Sequence, residues 1–100
     1  MDYQDYYNHG SWEVRCSKNY AFICCPVMNG LVSFSEQRKI YHDLKVLELD
    51  LQAQGKAEIA AYTSIYHPHI MLMFKKLDYT PFHLSLERKI LWFKKELQNV

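Results

Sequence analysis

The sequence predicts an α+β domain: a mixed sheet, one long helix laid across it and one short helix after it. Three observations predict this. Ile40, Leu44, Leu47 and Leu51 recur at helical spacing through a segment of about 20 residues that opens near Phe34. Short apolar runs of strand length, Tyr20 to Val27 and Glu58 to Thr63, lie on either side of it. Pro68 then opens a second, shorter helical period. A long helix with one apolar stripe, flanked by apolar strands, has to bury that stripe against a sheet.

The chain has 100 residues, which makes a single domain able to bury a core with little margin. Apolar residues are 49% and charged residues 23%, a globular composition, and no internal repeat, low-complexity tract or linker interrupts it. The formal net charge of +1 argues against nucleic acid or an acidic membrane as the partner. No apolar run approaches the ~18 residues of a membrane span, and MDYQDYYNHG does not read as a signal peptide. Cys16, Cys24 and Cys25 form an odd set with no CxxC spacing, so a reduced, cytoplasmic setting is expected.

Residues 1–10 hold Tyr3, Tyr6 and Tyr7 without a clean period, so they are either an arm that packs its rings on a partner or a frayed start. Ser11 to Cys16 alternates, with Trp12, Val14 and Cys16 predicted inward and Glu13 and Arg15 outward. Ser17-Lys18-Asn19 suits a tight turn. Tyr20 to Val27 is nearly continuous in apolar residues, which predicts a strand covered on both faces, with Pro26 at its end or at a bulge. Asn29-Gly30 signals a turn.

Ser33 and Glu36 have the spacing of a capping box for the long helix, and Gly55 supplies its left-handed stop. Glu58 to Thr63 suits an interior strand. Ile70, Met71, Phe74 and Leu77 give the helix after Pro68 an apolar face, and Lys75 and Lys76 suit its C-terminal dipole. The tail allows two readings. Tyr79 to Leu84 and Ile90 to Lys94 pattern as two strands, while Ser85, Leu86, Ile90, Phe93 and Leu97 fit a capped helix.

The segment Met73-Phe74-Lys75-Lys76-Leu77-Asp78-Tyr79, with His67 and Ile70 before it, resembles a motif of the GNAT family of N-acetyltransferases. There the pattern is Asn, two residues, Ala, two residues, Leu-Tyr-Glu-Lys-Leu-Gly-Phe. The order strand, strand, long helix, strand, short helix, two strands is similar to the C-terminal two-thirds of that fold, over roughly residues 12–97. The resemblance therefore implies a truncated GNAT-like mixed sheet, with a C-terminal hairpin closing on Lys95-Glu96-Leu97. It implies a family likeness to small bacteriophage-encoded proteins, including an internal virion component of short-tailed phages, and a location in a virion or host cytoplasm.

The family binds acetyl-CoA by resting its pyrophosphate on a helix N-terminus behind a glycine-rich loop. Here Gly30 to Arg38 carries no glycine past Gly30, and Glu36 brings a like charge. The tyrosine that protonates the leaving thiolate corresponds to Phe74, which has no proton to give. The resemblance thus implies a catalytically silent domain without a cofactor, working by protein contacts or self-association through Tyr3, Tyr6, Tyr7, Trp12 and Trp92. The alternatives are a minimal acetyltransferase and a phage-encoded inhibitor of a host protein. The enzyme alternative would use His67 or Glu13 as base and hold acetyl-CoA at Ser33, Ser35 and Arg38. The spacing of His67, His69, His83, His42 and His9 fixes no third metal ligand, so no metal is expected.

Overall fold

The computed structural model describes residues 5–25 and 33–97. Within them the strands are β1 (Asp5–His9), β2 (Trp12–Cys16), β3 (Tyr20–Cys24), β4 (Glu58–Ser64), β5 (Thr80–Ser85) and β6 (Ile90–Glu96). The helices are α1 (Phe34–Ala53) and α2 (Pro68–Lys76). The six strands form one sheet in the order β1-β2-β3-β4-β6-β5. Only β3 and β4 run parallel, and α1 lies in the connection between them, as a parallel pair requires. The fold is α+β, with a mixed sheet and a C-terminal hairpin.

Local chemistry sets both ends of α1. The Glu36 amide donates to the Ser33 hydroxyl at 3.2 Å, and that hydroxyl donates to Glu36 Oε1 at 2.9 Å. At the far end Gly55 takes φ +81°. Its N–H reaches the Gln52 carbonyl and the Lys56 N–H the Leu51 carbonyl, both at 3.0 Å, which closes a Schellman motif. Pro68 begins α2, and Asp78, at φ 67°, turns the chain into β5.

Both helices pack on the same face of the sheet. Ile40, Leu44, Leu47 and Leu51 of α1 and Ile70, Met73 and Phe74 of α2 are buried against Trp12, Val14, Ala21, Ile23, Ile59, Ala61 and Phe93. Phe74 is the node, with ring centroids 5.8 Å from Trp12, 5.0 Å from Tyr79 and 4.9 Å from Phe93. Lys56 is buried as well, and its ammonium donates to the carbonyls of Ser17 (2.7 Å) and Lys18 (3.4 Å), tying the end of α1 to the β2–β3 turn.

Two expectations change, and a third, the C-terminal hairpin, is met. Asp5–His9 is neither an arm nor a frayed start but an edge strand paired with β2 from Asp5↔Cys16 to His9↔Trp12. Gly10, at φ +58°, and Ser11 make the tight link, and Asp43 of α1 holds it by accepting from the Ser11 amide and hydroxyl, both at 2.9 Å. Strand β3 is covered on one face only: Ala21 and Ile23 are buried, whereas Tyr20 is exposed and Phe22 and Cys24 are half-buried. In the tail the hairpin forms. Ser85 accepts from the Arg88 amide within the β5–β6 turn rather than capping a helix, and Leu86 is exposed. The expectations for Pro26 and for Asn29-Gly30 lie outside the described residues.

Candidate functional site

Strand alternation leaves the second face of the sheet bare among the described residues. The cross-strand register arranges it in rows. One row runs Asn8, Glu13, Cys24, Tyr62, Trp92 and His83. The next runs Tyr6, Arg15, Phe22, Ala60, Lys94 and Thr80. Phe82 sits at the register shift of β5 and joins this face.

The face is aromatic, with charge interleaved. Tyr62 and Trp92 have ring centroids 4.7 Å apart, and Phe82 lies 6.4 Å from Trp92. The Arg15 guanidinium lies 5.2 Å from the Tyr6 ring centroid, and Lys94 Nζ lies 5.7 Å from that of Phe82. Glu13 accepts from the Tyr6 hydroxyl at 3.1 Å and from the Cys24 thiol at 3.4 Å. A cleft of about 60 Å³ lies among Glu13, Arg15, Phe22, Cys24, Tyr62 and Trp92. Burial pushes the Cys24 thiol up, and the hydrogen bond with Cys24, with burial second, pushes Tyr62 up to about 12. Both stay protonated at neutral pH, so this cleft holds no thiolate nucleophile.

The residues singled out in the sequence divide across the molecule. Tyr6 and Trp92 lie on the bare face. Tyr7 points to the helices, half-buried against the core. Trp12 is 1% exposed, and its indole donates to the Ile40 carbonyl at 3.0 Å. Its large apolar ring fills the core, so it cannot serve as a surface anchor. Tyr3 lies outside the described residues.

Of the candidates for acetyl transfer, Glu13 belongs to the bare face, while His67 opens α2 on the covered side without a side-chain capping bond. The His67 and His69 ring centroids are 6.0 Å apart; burial, and then the neighbouring His67, hold His69 below its usual value. At the α1 N-terminus Ser33 is engaged by Glu36, Ser35 lies 3.2 Å from the Ser33 hydroxyl, and Arg38 stacks 5.8 Å from the Phe34 ring centroid. The Ser33 hydroxyl thus takes the Glu36 amide, and the Glu36 carboxylate beside it puts a like charge in the first turn, against an incoming anion. Phe74, which the sequence resemblance aligns with an acid tyrosine, is 0% exposed. Tyr79 beside it is deeply buried, and burial, followed by the Glu48 carboxylate, lifts its hydroxyl far above the phenol range. Neither ring can deliver a proton to an open cleft.

Two other hollows are larger. One of about 680 Å³ runs between α1 and the β5–β6 edge past Lys45, Glu48, Asp78 and Lys94. One of about 340 Å³ lies between α1 and α2, past Tyr41, His69 and Met73. Among the described residues no group of three or more His, Cys, Asp or Glu side chains converges on a metal-sized site.

The sequence reading missed Phe22, Tyr62, Phe82 and Lys94 as members of one surface. Alternation within each strand was the available signal. It assigns side chains to two faces but does not say which face a helix covers.

No family model matches the chain, and no curated protein matches it significantly. Among solved structures the chain is similar to a crystal structure of a domain from Methanocaldococcus jannaschii DSM 2661, at TM-score 0.62 and 15% identity. The match covers 87% of this chain and 56% of that one, so the chain spans little more than half its length. At that identity the likeness establishes shared architecture alone.

Proposed function

We propose that the chain is a catalytically silent, GNAT-like domain that works through protein contacts. The bare aromatic face carries this reading. Tyr6, Phe22, Tyr62, Trp92 and Phe82 spread across one side of a six-stranded sheet with no described element over them. A contiguous aromatic surface with polar borders marks an interaction site. The family side of the proposal is supported by the strand order, with one parallel pair joined through the long helix, and by the two C-terminal strands, the last of which pairs with β4. The silence is supported by the self-capped α1 N-terminus and by Phe74 in the core.

Titration with acetyl-CoA, followed by thermal unfolding, tests it. A ligand at 100 times its Kd stabilises the folded state by about 2.7 kcal/mol, a rise of roughly 10–20 °C in a domain of this size. No rise is expected at millimolar acetyl-CoA, and a rise would return the chain to the enzymes. Within the silent reading, a bacterial protein captured from lysate selects the host-inhibitor form, and self-assembly without such a protein selects the structural, virion-like form.

A further inference from the structure

We infer that the bare face seats the same face of a second copy of this chain, as a two-fold dimer packed sheet on sheet. The inference rests on the protein-contact reading and names its partner. A face can pair with itself only if it is its own complement under a two-fold axis in the interface. This one is. An axis running across the strands, between the row Glu13–Cys24–Tyr62–Trp92 and the row Arg15–Phe22–Ala60–Lys94, exchanges the two rows. Each Glu13 then meets Arg15 of the other copy, each Trp92 ring meets Lys94, and the large Tyr62 meets the small Ala60. Acid falls on base, cation on ring and bulk on space, each twice.

The rim agrees. On this face Glu58 and Glu96 are directly opposite each other across β4 and β6. Two like charges in that position are unfavourable within one sheet. The same rotation lays this end of the sheet over the other copy's opposite end, where the exposed Arg88–Lys89 turn precedes Ile90. Two cations thereby arrive where two carboxylates face each other. Those acids, with Glu13, also set this face apart from a nucleic-acid platform, which needs a consistently basic surface.

The size is adequate. Six strands at ~4.8 Å spacing and about five residues at ~3.4 Å rise give a flat footprint of roughly 490 Å². Side-chain relief raises the accessible area toward the ~800 Å² that each partner of a standard interface buries. Rotation about such an axis sets the strands of the two sheets nearly antiparallel, the aligned arrangement of packed sheets.

Sedimentation equilibrium on the full chain, across roughly 1–200 µM, tests the inference. The mass is expected to move from 12.0 kDa toward twice that value. Glu13→Arg and Arg15→Glu should each weaken association by about tenfold or more, because each sets two like-charge contacts into the dimer. The double variant should recover it, with circular dichroism confirming the fold of all three. Should a strand variant lose its fold, the exposed rim pair Arg88→Glu and Glu96→Arg poses the same question, alone and combined. A mass of 12.0 kDa across the whole range overturns the inference, as does a dimer indifferent to the single reversals. A monomer without acetyl-CoA binding removes the second copy and leaves the silent domain standing. Acetyl-CoA binding by a dimer does the reverse.

Discussion

Phe74→Tyr is the most direct probe of the proposed silence, because it places a tyrosine where the proposed GNAT likeness would put the acid. The structure predicts damage rather than repair. Phe74 is 0% exposed, and its ring is enclosed by Trp12, Tyr79 and Phe93 at centroid distances of 4.9–5.8 Å. A hydroxyl added there finds no water. Leaving it unsatisfied costs about 1–3 kcal/mol, and forcing an extra atom into a packed core costs about 1–3 kcal/mol more. The sum, roughly 2–6 kcal/mol, is a large share of the ~5–15 kcal/mol that holds a domain of this size together. At ~4–8 °C per kcal/mol, the unfolding midpoint should fall by about 10 °C or more. Urea and thermal unfolding read by circular dichroism measure the loss, with an unchanged m-value showing that stability alone has moved. A variant within ~0.5 kcal/mol of the parent would mean the hydroxyl reaches an open, hydrated cleft. So would one that gains stabilisation from acetyl-CoA. In either case the argument from burial fails.

Two further outcomes follow from side chains that hold the ends of elements. Lys56→Met keeps the apolar stem but removes the ammonium that binds the Ser17 and Lys18 carbonyls, and should cost about 1.5–3 kcal/mol in urea unfolding; an unaltered midpoint would show that these bonds are replaced by water. Burial works against the Asp43 carboxylate, but hydrogen bonds from the Ser11 amide and hydroxyl and from Lys39 outweigh it and hold the carboxyl below its usual value. The unfolded chain takes up this proton first, near pH ~3.9, so the stabilisation is complete above that value and is lost as pH falls through the lower folded one. Asp43→Asn should therefore flatten the acid limb of a plot of urea midpoint against pH, and coincident slopes for the two proteins would refute the assignment.

Helix α1 was legible in the sequence because what defines it is local: the Ser33–Glu36 cap, the stripe from Ile40 to Leu51 and the stop at Gly55. The same holds for Pro68 at the start of α2 and for the inward set Trp12, Val14 and Cys16. The tail was different. Leu86, Ile90, Phe93 and Leu97 satisfy a helical period as well as a strand, and β4 decides the matter by offering an open edge to which Ile90 to Glu96 can bond. Asp5–His9 likewise becomes a strand only because β2 pairs with it.

The candidate surface lay furthest from reach. Phe22, Tyr62 and Trp92 are separated by up to 70 positions in the chain, yet sheet register sets them side by side. Alternation determined that each strand has two faces. Which face the helices cover, and so whether these rings are core or contact surface, depends on where α1 and α2 come to rest. That is set by packing between residues distant in sequence, and no local pattern encodes it.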